Sequence, residues 1–233
     1  MRAPLAPEKE TSAPAPPDYE NRQIVHRNRL PPRAYYIPSD HLLLNGKWDF
    51  NYARTPLHAP EPEQSRPASS GNNTPETPST SSSDDIDETL PVKWTTINVP
   101  GHWQLQGFGR PQYTNVIYPF PVCPPHVPSE NPTGTYRRLF TVPSSWPESA
   151  QLRVRFEGVD SAYHVWVNGS FAGYHQGSRN AGEFDVTPFV HRGKQNKLFV
   201  KVYQWCDASY IEDQDQWWLS GELLPVLRVT TMR

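Results

Sequence analysis

The chain has 233 residues, and its 22 basic side chains against 24 acidic ones leave a net charge of −2, which supplies no field to gather nucleic acid or an anionic membrane. That length allows one large domain or two small ones, and 27 prolines mean that part of it is not packed. The two cysteines, Cys123 and Cys206, are too far apart for a metal-ligand motif and too few for a disulfide framework, so two reduced, buried thiols are expected.

Residues 1–20 are rich in Pro, Ala and Glu and nearly free of large apolar groups, too little to offset the entropy of ordering, and a disordered tail is expected there. The same residues contain no apolar stretch of the kind a secretory signal needs, and no later run is long enough to span a bilayer, which points to the cytoplasm. Residues 21–43 mix arginines and tyrosines without periodicity. They read as an extended arm lying on this domain, on a neighbouring one or on a second subunit.

The first strand is predicted over 47–52, where Trp48, Phe50 and Tyr52 share one face and Lys47, Asp49 and Asn51 the other, after a turn at Asn45 and Gly46. Residues 55–90 are dense in Pro, Ser, Thr, Glu and Asp. Because strand pattern resumes afterwards, at 92–99, they read as a disordered low-complexity insertion within a domain running from 44 to 229, with 230–233 as a tail. Residues 101–131 carry Trp103, Tyr113, Tyr118 and Phe120 among prolines and glycines, a long, irregular but packed region of the kind that often carries function.

From 135 onward the pattern is all-β. Strands are predicted over 135–142, 151–156, 161–167, 171–173, 183–186 and 197–204, with Asn168 and Gly169 as a tight hairpin turn. Short strands with no amphipathic helix between them imply a β-sandwich or jelly roll.

Residues 209–221 read Ser-Tyr-Ile-Glu-Asp-Gln-Asp-Gln-Trp-Trp-Leu-Ser-Gly. Neither helical nor strand periodicity fits, so a loop is predicted. Carboxylates beside flat rings suit a sugar site, since acids accept from hydroxyls and rings stack on the C–H face of a pyranose. The competing reading is a solvated acidic turn followed by two core tryptophans.

Seven phrases then resemble, in order, the N-terminal domain of glycoside hydrolase family 2 β-galactosidases of the lactase type. They are Leu-Asn-Gly-Lys-Trp-Asp-Phe at 44–50, Val-Pro-Gly-His-Trp-Gln-Leu-Gln-Gly at 99–107, Tyr-Thr-Asn-Val-Ile-Tyr-Pro at 113–119, Glu-Asn-Pro-Thr-Gly-Thr-Tyr at 130–136, Phe-Glu-Gly-Val-Asp-Ser-Ala-Tyr-His-Val-Trp-Val-Asn-Gly at 156–169, Gly-Ser-Arg-Asn-Ala-Gly-Glu-Phe-Asp at 177–185 and the stretch at 209–221. The resemblance implies an all-β, galactose-binding-like jelly roll that forms one wall of a site for terminal β-galactosides. In the family, retaining hydrolysis uses two barrel glutamates, so no catalytic residue is expected in this chain and it should be inactive alone.

By the same resemblance Asn115 and Asp215 are substrate-binding, and Asp215 also helps hold a monovalent cation, normally sodium; the magnesium ligands of the full-length family lie outside this chain. His102 and Glu212 are expected to be supporting residues, and Trp205, Trp217 and Trp218 to be packing residues. The implied partners are a β-galactoside, the remaining domains of the enzyme and, at full length, further copies of the subunit. Similarity to the family's pattern is lost after Gly221, as in a truncated gene product, and 223–229 reads as a closing strand that Pro225 would confine to an edge. Two other readings stand beside a truncated β-galactosidase: a free-standing carbohydrate-binding module, and a scaffold or dimerisation piece built around the arm.

Overall fold

The computed structural model describes residues 14–33, 40–62, 92–115, 117–212, 215–221 and 225–230. Among the described residues thirteen strands follow one another: β1 (His26–Arg27), β2 (His41–Leu43), β3 (Gly46–Ala53), β4 (Thr95–Val99), β5 (Gln112–Thr114), β6 (Thr133–Thr141), β7 (Gln151–Phe156), β8 (Ala162–Val167), β9 (Ser170–Gln176), β10 (Gly182–Asp185), β11 (Gln195–Tyr203), β12 (Gln216–Trp218) and β13 (Pro225–Thr230). The one α-helical turn among the described residues is α1 (Ser209–Glu212). No helix among the described residues is long and apolar enough to cross a membrane.

The strands form a seven-stranded sheet in the order β1-β9-β8-β11-β6-β3-β4, a four-stranded sheet in the order β10-β7-β13-β2, and a two-stranded ribbon of β12 and β5. All pairings are antiparallel. Period-two alternation explains the layering. Leu198, Val200 and Val202 of β11, Trp48 and Phe50 of β3, and Leu152, Val154 and Phe156 of β7 turn inward into one continuous core. Between β8 and β9 the chain reverses through Asn168 and Gly169 at φ 51° and 80°, the positive values that a two-residue hairpin needs. Gly134 in β6 admits the Trp103 ring: a Cβ there would lie 2.4 Å from it, so the irregular region beyond β4 is keyed into the core by a missing side chain.

Several sequence expectations change at their boundaries. Of the expected tail, residues 1–13 lie outside the described residues, but Asp18–Glu20 form a 3₁₀ turn. Tyr19 stacks on Tyr203 with ring centroids 4.6 Å apart, and Asp18 accepts from Arg27 at 2.8 Å and from His164 at 3.1 Å. Composition hid this, because two side chains with specific partners suffice to anchor a short segment. Of the insertion, 63–90 lies outside the described residues, whereas 55–62 packs on the sandwich, with Ala59 buried and Glu61 paired with the buried ammonium of Lys201.

The arm lies on its own domain: β1 pairs with β9 at the edge of the large sheet, and Leu30 N–H donates to Glu183 O, 2.8 Å, at the edge of the small one. At the other end of the chain, β13 is no edge strand, since it runs between β7 and β2. Pro225 is its first residue, a position where the missing N–H interrupts no ladder. Of the two thiols Cys206 is buried and its pKa is pushed up to about 12 by that burial, but Cys123 is exposed.

Candidate functional site

The ribbon of β5 and β12 stands at one end of the sandwich. Its register pairs Gln112 with Trp218, Tyr113 with Trp217 and Thr114 with Gln216. One step further along the same register, Asn115 and Asp215 leave the ladder opposite each other, both exposed. Side chains two apart in a strand share a face. Tyr113 and Trp217, 50% and 58% exposed with ring centroids 5.6 Å apart, therefore stand on the face that continues into Asn115 and Asp215. The Tyr113 hydroxyl donates to Asp215 Oδ1 across the diagonal of the ribbon. The opposite face is the packed one, where Trp218 is buried against Trp205 and its indole N–H donates to Thr114 Oγ1.

Two sets of contacts hold this short ribbon. Buried Gln104 donates to Ser220 Oγ at 3.1 Å and accepts from Ser220 N–H at 2.9 Å, and Trp103 N–H donates to Ser220 O, so the segment after β12 is tied to the one before β5. A polar chain then runs beneath β12. Arg179 donates to Asp160 Oδ2 at 3.2 Å and to Gln216 Oε1 at 2.7 Å, while Ser178 N–H donates to Glu212 at 2.9 Å. Residues Ser178, Arg179, Glu212 and Gln216 surround a cavity of about 200 Å³.

Ser178 Oγ lies 2.9 Å from Asp160 Oδ1 and 2.7 Å from Glu212 Oε2. A hydroxyl carries one hydrogen, so it can donate to only one of the two acids at a time. Burial raises the Asp160 pKa to about 6, and the neighbouring Glu212 charge adds to the rise, while Ser178, Arg179 and His102 oppose it. A raised carboxyl beside a second carboxylate is the electrostatic pattern of an acid/base pair. The geometry differs, because Ser178 fills the space between the two acids and Asp160 is only 8% exposed. This pair fixes β12 rather than opening onto a ligand.

The structure thus brings Asn115 and Asp215 together. Glu212 and His102 stand behind them, Glu212 on Ser178 and His102 bridged to Gly221 through the backbone. Residues 209–221 are not a loop throughout: α1 opens the stretch and β12 follows, each too short to show a period. Trp205 and Trp218 pack as expected, but Trp217 does not, because strand parity turns adjacent tryptophans to opposite faces. Tyr113 and Trp217 are the residues that sequence reasoning missed. The signal was their spacing of two from Asn115 and from Asp215, readable only once the two segments are known to pair.

Residues 42–230 match the family described as glycosyl hydrolases family 2, sugar binding domain, so the match continues past Gly221, where similarity was expected to end. The beta-galactosidase of Kluyveromyces lactis is 44% identical over 210 residues, covering 88% of this chain and 18% of that protein. That of an Arthrobacter species is 49% identical over 200 residues, covering 83% of this chain and 19% of that protein. The chain therefore spans about a fifth of the length of these curated relatives. Among solved structures a β-glucuronidase from Ruminococcus gnavus superposes with a TM-score of 0.52 at 14% identity, over 84% of this chain and 30% of that one, a likeness of fold.

Proposed function

The chain belongs to glycosyl hydrolase family 2, as that family's sugar-binding domain, and from this premise we propose that it supplies one wall of the galactoside site of a β-galactosidase. The observation that carries the proposal is the ribbon register, which sets Asn115 opposite Asp215 on an exposed face with Tyr113 and Trp217. An amide both donates to and accepts from sugar hydroxyls, a carboxylate accepts from two, and an exposed ring can lie along the apolar face of a hexose. These are the groups needed to orient a galactoside. Cutting one requires more.

Retaining hydrolysis needs two carboxyl groups about 5–5.5 Å apart flanking the glycosidic bond, one giving and taking the proton and the other attacking the anomeric carbon. Asp160 and Glu212 cannot flank a sugar while Ser178 stands between them. In this proposal the reacting acids come from the part of the enzyme that this chain does not span, and that part also closes the open side of the wall. Apolar side chains exposed at this end, Ile117, Val122, Ile211 and Trp217, support such a covering partner.

For a monovalent cation the donor set fits in kind, because Asp215 and Asn115 both offer hard oxygens. It does not suffice in number, as the described residues contain no group of three or more His, Cys, Asp or Glu that could hold a metal. Asp215 would hold the ion on one side and the covering part of the enzyme would complete its shell. When bound, a cation there would orient a sugar hydroxyl by its charge.

The test is turnover of a chromogenic β-galactoside by the purified 233-residue chain. No product above the buffer rate is expected. Sustained release that disappears in Glu212→Gln or Asp160→Asn would show that the reacting acids lie here and would overturn the division of labour.

A further inference from the structure

Where the arm passes from the edge of the large sheet to the edge of the small one, it roofs a second and larger cleft, of about 600 Å³, far richer in positive groups than the ribbon. Four arginines (Arg29, Arg33, Arg155 and Arg179) and the imidazoles of His26 and His175 line it, against the single carboxylate of Glu157. Most of these guanidiniums have a carboxylate behind them: Arg33 on Glu183 at 2.9 Å, Arg155 on Glu157 at 2.7 Å, Arg179 on Asp160 at 3.2 Å. Among the described residues no carboxylate pairs with Arg29, and its Nε is buried without a hydrogen-bond partner.

His175 is the second observation. It is 5% exposed, lines the cleft, and neither ring nitrogen reaches a partner among the described residues; the buried hydroxyl of Tyr163, whose ring meets the His175 ring edge to face, is likewise without one. Burial, and next to it the Arg29 charge, lower the His175 pKa to about 4 against a smaller opposing pull from the Asn180 backbone, which lies outside hydrogen-bond geometry, so the imidazole is neutral and offers one N–H. Buried donors without acceptors are destabilising and call for an explanation. A ligand oxygen would supply the missing acceptor, and a charged one would also answer Arg29.

We propose that this cleft binds a small molecule through an oxyanion group, phosphate or carboxylate, held by Arg29 and His175 at the junction of the arm with β9 and β10. The cleft shares Arg179 with the polar chain beneath the ribbon but none of the ribbon's own residues. The arm supplies one side of it, through Val25, His26, Arg29, Pro32 and Arg33.

The test titrates the 233-residue chain with inorganic phosphate, with acetate and with galactose at ionic strength matched by sodium chloride, following the His175 ring signals by NMR. Saturable shifts with phosphate or acetate, and none with galactose, are expected; which anion acts at lower concentration identifies the group. Arg29→Gln should weaken that binding at least tenfold, while Arg54→Gln, on an exposed arginine paired with Glu130, should leave it unchanged. If Arg29→Gln fails to fold, the wild-type ring signals decide alone. His175 signals that stay fixed with both anions, or an affinity that Arg29→Gln leaves unaltered, would overturn the proposal.

Discussion

The sandwich and the ribbon are made of the same structure, antiparallel strands with one buried face, yet they answer to different rules. In the sandwich the strands that carry the core, β3, β4, β6, β7, β8, β9 and β11, are five to nine residues long, so Phe50, Leu152 and Val200 are fixed by many neighbours at once. In the ribbon each strand has three residues, and position depends on a few polar links: Gln104 to Ser220, Trp218 to Thr114, Arg179 to Gln216. Packing tolerates no gap but is indifferent to any one hydrogen bond, whereas the ribbon is the reverse. The proposed sugar-facing groups sit on the second kind of structure, where rings and acids are left uncovered.

The largest expected effect breaks the comparison on the sandwich side. Phe50 is fully buried among Trp103, Phe108 and Tyr136, and Phe50→Ala should cost about 3–5 kcal/mol of unfolding free energy, measured by urea denaturation. A cost below about 1 kcal/mol would mean that the core is not packed as described.

Next comes the polar support beneath the ribbon. The Asp160 pKa is raised in the fold, so folding takes up a proton between the unfolded value near 4 and the folded value of about 6. Its contribution is full below the lower value and is lost as pH rises through the upper one. Stability measured by denaturant should therefore carry a falling component across that window, and Asp160→Asn should remove it. An unchanged pH profile in the variant would place the source elsewhere.

Asp18 runs the opposite way. Hydrogen bonds from His164 and Arg27 hold its carboxyl well below the usual carboxylate range, so its contribution is present above the unfolded pKa and fades only as pH falls through the folded one. Burial lowers the His164 pKa while Asp18 opposes it, and the ring bridges the two partners, Nε2 at 3.1 Å from Asp18 and Nδ1 at 3.0 Å from the Tyr203 hydroxyl. Asp18→Ala should free the arm, read as faster amide exchange at His26 and Arg27 with slow exchange retained in β11. Equal exchange in both variant and wild type would show that Tyr19 alone anchors the segment.

The smallest effect on stability sharpens the comparison from the ribbon side: Asp215→Asn should change unfolding free energy by less than about 0.5 kcal/mol, since Asp215 is exposed and keeps an oxygen for Tyr113. A cost of several times that would make Asp215 a structural residue.

The same contrast explains what was legible in the sequence. Alternation in Trp48, Phe50 and Tyr52 or in Leu198, Val200 and Val202 records a buried face directly, and the Asn168–Gly169 turn records its own backbone geometry. Asn115 and Asp215 were found through family phrases, not through periodicity, because three-residue strands are shorter than any period that can be counted. Trp217 was misplaced for the same reason. The interior position of β13 was obscured by Pro225, whose exclusion from central strands lapses at a strand's first residue. Glu212 was expected to be a supporting residue, but its pairing with Asp160 through Ser178 was not legible, because the three residues come from separate segments.

The most direct measurement is a galactose titration of the ¹⁵N-labelled chain. Saturable shifts should appear at the Asn115 side-chain amide and the Trp217 indole, stay absent at core residues such as Val200, and vanish in Asp215→Asn while that variant remains folded. Shifts gathered on another face of the sandwich, or persisting undiminished without the Asp215 carboxylate, would contradict the assignment of the ribbon as the sugar-facing wall.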